Sequence, residues 1–430
     1  MKNNYRLKNF SLIAFGLFFA QAIAQPFTNG IFVLNEGGAG SNNSDVSFIS
    51  NAGVLQNNIF GTANASANMG DTGQSIGFNG DLAYVVLNIS NEIRVVNAET
   101  FELETTISNG LTNPRYIAFA DGKAYVTCWG NAALATDDYV AVIDLDTNEV
   151  ASTIPLAEGV ERILKVGNKL YVAHQGGYGF GNTVSVIDIA SEAVSTITVG
   201  DVPNSLFESN GTLYVLCGGI PSWSSDESDG RLVTINLSDN TILNEIDFVG
   251  KHPSNFELND GFIYYTNDTE IYKMPVVDTE LPTEALFSIG AAGSYGVYAM
   301  DIIDNKIYVG DALDYVSPGK AYVYSTDGNL LDEFTVGTSP NGFYKAATSE
   351  LGLADNVSKK ISLYPNPTTN LFYISSDATP EIKIYDMSGR LVKSQIYATS
   401  GISVSDLNIG IYSVEISESN QKQIQRLIVK

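Results

Sequence analysis

This chain is poor in the residues that most often carry chemistry. Its 430 residues include two cysteines and two histidines, His174 and His252. No GxSxG elbow, HExxH pair or phosphate-binding loop is present, and no Ser-His-Asp set can be assigned from spacing. Positive charge is also scarce, with Lys+Arg 23 against Asp+Glu 48 and a formal net charge of -25. That balance excludes nucleic acid as a partner. Long apolar runs are missing apart from Phe10 to Ala20, which is shorter than the roughly 20 residues a membrane span needs. Lys2, Arg6 and Lys8 precede this run and Ala22-Ile23-Ala24 follows it, so residues 1–24 read as a secretory signal peptide. The mature chain is expected to begin near Gln25. No cysteine follows the cleavage site, so a lipid anchor is not expected.

The scarcity of cations is sharpest in the middle of the chain. Residues 1–24 hold three basic residues and no acidic ones, and residues 358–430 hold eight and six. The remainder has 23-3-8=12 basic and 48-0-6=42 acidic residues. Such a field keeps an exported domain soluble and repels anionic polymers and membrane surfaces. It also makes the positions of the few basic residues informative.

What the chain has in abundance is repetition. GIFVLN at 30, LAYVVL at 82, KAYVTC at 123, KLYVAH at 169, TLYVLC at 212, FIYYTN at 262 and KIYVGD at 306 mark seven units of about 41 to 52 residues. Each unit reads as four short strands separated by Gly, Asn and Asp turns. The eleven positions from Pro114 to Tyr125 recur from Pro203 to Tyr214 and from Pro253 to Tyr264. Both faces of these strands are apolar or aromatic, so each sheet must be covered on both sides. Radial stacking achieves this and also protects the strand edges. The expected fold is all-β: a seven-bladed β-propeller over 25–346, a linker over 347–360 and a small β-sandwich over 361–430. An open solenoid is the rival, and no atypical polar capping repeat supports it.

The units VAVIDLDTNEVASTIPL (140–156) and VSVIDIASEAVSTITVGDVPNSL (184–206) resemble the YVTN-type (YncE-like) propeller repeat. The resemblance covers residues 30 to about 346. It is specific for fold and weak for function, because that repeat serves surface-layer proteins, lactonase-like and lyase-like enzymes, and binding proteins. The final segment holds Tyr-Pro-Asn-Pro at 364–367, Asp386 with Gly389-Arg390, Gly410-Ile411-Tyr412 and a basic terminus at Lys430. These motifs closely resemble those of the type A C-terminal sorting domain of the type IX secretion system of Bacteroidetes. The resemblance implies passage across the outer membrane, handling by the type IX machinery, removal of the domain near 350–360, and attachment to the cell surface or release.

Candidate site residues lie on loops expected to share one rim. The widened loops are 35–45, 128–138, 174–182, 217–230 and 311–319. They hold both tryptophans, Trp129 and Trp223, together with Tyr178, Phe180 and Tyr315. Large aromatics on loops are expected to wall a pocket over units three to five; loops that merely pack on each other are the alternative. Aligning the first residues of the innermost strands gives a ring of Gln74, Arg115, Glu161, Asn204, Ser254, Tyr298 and Asn341, with Arg162 and Asn255 one position farther on. Two arginines at one rim point to a carboxylate or phosphate partner, which a guanidinium fork grips with paired hydrogen bonds. Internal pairing with Glu161 is the competing reading.

A further ring holds Cys128, His174 and Cys217 on three consecutive units. Zinc uses those ligand types, but equivalent positions on stacked sheets lie about 8 Å or more apart, against zinc bonds of about 2.0–2.3 Å. No metal is expected, and two buried thiols are expected rather than a disulfide. No cofactor is expected either. The reading is a monomeric, surface-displayed, non-catalytic binding protein, with His174 counted among the ligand-binding residues. A propeller hydrolase or lyase using His174 or His252, and an adhesion module, are the alternatives. The plan is similar to that of surface propellers that Bacteroidetes use to capture vitamin B12, which makes a corrinoid one concrete ligand.

Overall fold

A computed structural model of the chain describes residues 26–131, 134–177, 179–290, 296–348, 363–364, 366–374, 380–386, 389–397, 401–418 and 421–430. The predicted signal peptide and most of the predicted linker lie outside the described residues. The chain divides into two compact units, Met1–Ser349 and Glu350–Lys430.

The first unit is built by alternation of buried side chains along very short strands. In Lys169–His174 five consecutive residues are buried, as the two-faced apolar pattern requires. Such strands assemble into seven four-stranded antiparallel sheets among the described residues of this unit. Their innermost strands touch neighbour to neighbour in a closed ring through Gly73–Asn79, Pro114–Ala120, Val160–Val166, Pro203–Ser209, Ser254–Asn259, Ala299–Ile303 and Pro340–Lys345. This is a β-propeller. The ring is closed by the chain's own ends: Pro340–Lys345 pairs antiparallel with Gly30–Asn35 and serves as the innermost strand of the first sheet.

The repeated tyrosines explain the sheet stacking. Tyr84, Tyr125, Tyr171 and Tyr264 are among the largest fully buried side chains or close to it, each at most 2% exposed. Burial of side chains of this size contributes roughly 2–3 kcal/mol each. Tyr84 meets Phe119 of the next sheet with ring centroids 5.0 Å apart. Tyr171 spans units four and five, where Val184, Val215 and Val233 share its cluster. Two units are irregular in their outermost strands, which shrink to Leu55–Gln56 and Phe287–Ser288. A five-residue helix, Ile59–Ala63, follows the first of these and packs Ile59 and Phe60 into the core.

The second unit is a β structure with its own core of Phe372, Ile384, Val414 and Leu427. Its four-stranded sheet runs in the order Leu391–Ile396, Glu381–Tyr385, Gly410–Glu418 and Gln421–Val429. Leu363–Tyr364 is an edge strand, where the following prolines remove donors without breaking a ladder. Asn366 explains its place in the motif. Its Nδ2 donates to Arg426 O at 2.6 Å, and its Oδ1 accepts from Ile428 N at 2.9 Å, so a side chain pairs with the terminal strand as another strand would.

Candidate functional site

The innermost strands do not enter their sheets smoothly. Register shifts between Gly73 and Ser75, Pro114 and Ile117, Val160 and Ile163, Pro203 and Ser205, and Ser254 and Glu257 leave one or two residues of each strand out of the ladder. These β-bulges re-aim side chains. They free Gln74, Arg115 with Tyr116, Glu161 with Arg162, Asn204, and Asn255 with Phe256, which include most of the ring read from the sequence.

At the mouth of the channel, adjacent units meet position by position. Arg115 donates from Nε to Glu161 Oε2 and from Nη2 to Glu161 Oε1, both at 2.9 Å, and its guanidinium lies 3.9 Å from the Trp129 ring centroid. The internal pairing with Glu161 is therefore what the structure contains for Arg115. One position farther on, Arg162 stacks on Tyr116 with Cζ 4.2 Å from the ring centroid. Gln74 donates to the Tyr116 hydroxyl at 3.2 Å. Across the mouth, the Tyr298 hydroxyl donates to Glu36 Oε2. Burial pushes the Glu36 carboxyl above its usual range, against the lowering effect of that bond. Asn341 Nδ2 donates to Gly73 O at 2.7 Å, while its buried Oδ1 has no donor among the described residues. Asn204 Nδ2 donates to Pro253 O at 2.9 Å, which ties unit five to unit six.

Arg162 stands apart from the other arginines. Of the four in the propeller, Arg94 pairs with Glu92, Arg115 with Glu161, and Arg231 with Glu245 and Asp247. Arg162 has no carboxylate at hydrogen-bonding distance among the described residues. It lines two adjoining cavities in the channel, of about 110 Å³ and 170 Å³. The first is also lined by Asn255, Glu257, Asp301, Asn341 and Tyr344, the second by Tyr116, Ser75 and Tyr344. Burial, and then the neighbouring Asp301 carboxylate, push the Glu257 carboxyl well above its usual range. Burial also raises Asp301 to about 6, although its Oδ2 accepts from Phe343 N at 2.9 Å. Glu257, Asp301 and Tyr344 lie three residues beyond the ring positions Ser254, Tyr298 and Asn341. Extending the same alignment by three would have found them.

The rim residues divide differently from the expectation. Trp129 is not a free pocket wall. It packs on the core between units three and four, under the Arg115 guanidinium, which corrects the view that loop aromatics stay out of the core between the sheets. His174 is 1% exposed, with Nδ1 3.1 Å from Glu158 O and Nε2 2.8 Å from Ser185 Oγ. Burial lowers its pKa, and both ring nitrogens have partners inside the fold. Tyr178 lies outside the described residues. Phe180 and Trp223 meet with centroids 5.9 Å apart, and Trp223 is 80% exposed. Tyr315 packs edge-on against Tyr298 at 5.3 Å. The structure thus separates the predicted set into a channel group (Arg162, Asn341), a mouth group (Arg115, Trp129, Tyr298, Tyr315), an exposed pair (Phe180, Trp223), and Asn204 and His174, whose side chains bond to neighbouring loops and strands.

The other histidine is also engaged: His252 Nδ1 lies 3.0 Å from Gly218 O and Nε2 3.4 Å from Glu227 Oε1. Cys128 and Cys217 are separate buried thiols, each pushed up to about 12 chiefly by burial. Among the described residues no cluster of three or more His, Cys, Asp or Glu side chains is arranged to hold a metal ion. No helix among them is long and apolar enough to cross a membrane.

The fold and the tail together define an exported β-propeller. Residues 362–430 match the secretion system C-terminal sorting domain, and residues 29–220 match a domain of unknown function, DUF5074. The sorting domain marks the chain for type IX secretion: it engages that machinery, passes the outer membrane, and is attached to the cell surface or released. Beta-agarase D of Zobellia galactanivorans is 24% identical over 184 residues, which is 42% of this chain and 35% of that protein. The chain therefore spans about a third of the length of this curated relative. Among solved structures, apo AztD from Citrobacter koseri is similar at 12% identity, covering 73% of this chain and 96% of that one with a TM-score of 0.45. The β-propeller domain of Cps50 (Swd1) from Myceliophteria thermophila is similar at 11% identity, covering 61% and 86% with a TM-score of 0.45.

Proposed function

We propose that the propeller, a YVTN-type unit bounded near residues 25 and 346, is an extracellular binding protein that takes up a small anionic solute in its central channel without transforming it. One observation carries this reading: in a domain with 12 basic against 40 acidic residues, Arg162 faces a channel cavity with no carboxylate at hydrogen-bonding distance among the described residues. A guanidinium presents five donors in a planar fork suited to carboxylate or phosphate. Leaving those donors unmatched inside the protein is costly, and an arriving anion would match them. The engaged imidazoles of His174 and His252 argue for binding rather than turnover. The two cavities are small, about 110 Å³ and 170 Å³, so a corrinoid would rest on the rim.

The test is thermal shift of the purified full chain with acetate, succinate, inorganic phosphate and vitamin B12, alongside Arg162→Gln and Trp223→Ala. A solute at about 100 times its dissociation constant adds roughly 2.7 kcal/mol to the folded state. The expected result is a rise in melting midpoint with a small anion that disappears in Arg162→Gln and persists in Trp223→Ala. A stabilising ligand lost only in Trp223→Ala would favour the second reading, a rim platform built on the exposed Phe180–Trp223 pair. No shift with any solute would contradict both.

A further inference from the structure

The channel cavity has two chemical ends. The Arg162 guanidinium supplies one. Glu257 and Asp301 supply the other, on the innermost strands Ser254–Asn259 and Ala299–Ile303 of the two units that precede the closing strand. All three side chains line the same cavity of about 110 Å³. Neither acid closes onto the arginine: no hydrogen bond joins Arg162 to Glu257 or Asp301, and Glu257 accepts none from any described residue. A cavity that held water alone would still leave the buried guanidinium without a carboxylate at hydrogen-bonding distance, where unpaired charge is poorly tolerated. Asn341 adds an acceptor, Oδ1, without a donor among the described residues.

We infer that the channel site recognises a small zwitterion, a molecule whose carboxylate meets Arg162 and whose ammonium group meets Glu257 and Asp301. This rests on the binding reading above and narrows it to a solute class. The two adjoining cavities, of about 110 Å³ and 170 Å³, suit a small solute such as a free amino acid with a short chain. The high pKa values of the acid pair in the empty channel fit this reading. Burial outweighs the lowering effect of the Arg162 guanidinium and favours their neutral forms, and an arriving ammonium would draw a proton off the pair. Affinity should therefore strengthen as pH rises through about 6. The charged or titratable groups facing the pair across the channel are Arg162, Tyr116 and Tyr344, and the two tyrosines are raised by burial and stay neutral over that range.

Calorimetric titration of the full chain decides it, with glycine, β-alanine and γ-aminobutyrate set against acetate, propionate, butyrate and the corresponding amines. The expected result is that one zwitterion binds at least tenfold more tightly than both its acid and its amine counterpart. Glu257→Gln and Asp301→Asn should reduce that preference to threefold or less. Equal binding of acid and zwitterion, lost in Arg162→Gln and retained in Glu257→Gln, would overturn the zwitterion and leave the anion-binding reading standing. Preferential binding of the amine would overturn both. The native-chain comparison needs no variant, so a substitution that fails to fold does not remove the test.

Discussion

A single imidazole illustrates how a residue type misleads when its surroundings are unknown. His174 is one of two histidines, on a loop of a repeat fold, and looks like a ligand. In the folded chain its Nδ1 meets Glu158 O at 3.1 Å and its Nε2 meets Ser185 Oγ at 2.8 Å, so both ring nitrogens have partners inside the fold. Its pKa is lowered, first by burial. The unfolded state therefore takes up a proton first as pH falls through about 6.5, and the stabilising contribution present at neutral pH is lost. Melting midpoints of wild type and His174→Gln measured from pH 8 to pH 5 should converge on acidification, with wild type losing more. Parallel curves would contradict the structural assignment. The same contrast separates the arginines. The Arg115–Glu161 pair was one of two readings open in the sequence, because alignment set them on adjacent units at equivalent positions. The isolation of Arg162 was not legible, since it depends on what fails to approach.

At the level of elements, the glycine-rich hairpin 174–182 shows what spacing can and cannot tell. Its length is visible in the sequence and suggests a pocket wall. Its glycines answer to backbone packing. Gly159 has φ +79°, and a Cβ there would fall 2.1 Å from Gly176 Cα, while one on Gly181 would fall 2.0 Å from His174 O. The loop leading into Val160–Val166 thus lies directly against the widened hairpin. Asp138 fixes it from the other side by accepting from Gly159 N at 2.7 Å. Gly159→Ala should cost on the order of 2 kcal/mol or more, because it adds a backbone clash to left-handed strain. Gly167→Ala, at φ +58° with open space around the new methyl, should cost only about 1–2 kcal/mol. Urea denaturation of the two variants checks this, and equal costs would show that the two loops are not in contact. Strand order was readable because every unit repeats the same alternation. The bulges were not, because a bulge is a mismatch between partners and leaves no mark on one strand alone.

For the molecule as a whole, closure decides function. The innermost strand of the first sheet comes from residues 340–345, so the channel exists only when the two ends of the propeller have met. Its lining is drawn from Tyr116, Arg162, Glu257, Asp301 and Tyr344, residues spread over more than half the chain. The ring of mouth positions was legible because the repeat supplies its own alignment. The deeper ring required knowing that the strands continue inward past the bulge. The proposed role for this acidic, exported propeller, a receptor for an anionic group, rests on the Arg162 guanidinium, which has no carboxylate at hydrogen-bonding distance among the described residues. The most direct measurement is a crystal structure of the protein soaked in bromide and recorded at the bromine absorption edge. The account predicts an anomalous peak in the channel within hydrogen-bonding distance of the Arg162 guanidinium. Bromide found on surface lysines and absent from the channel would contradict it.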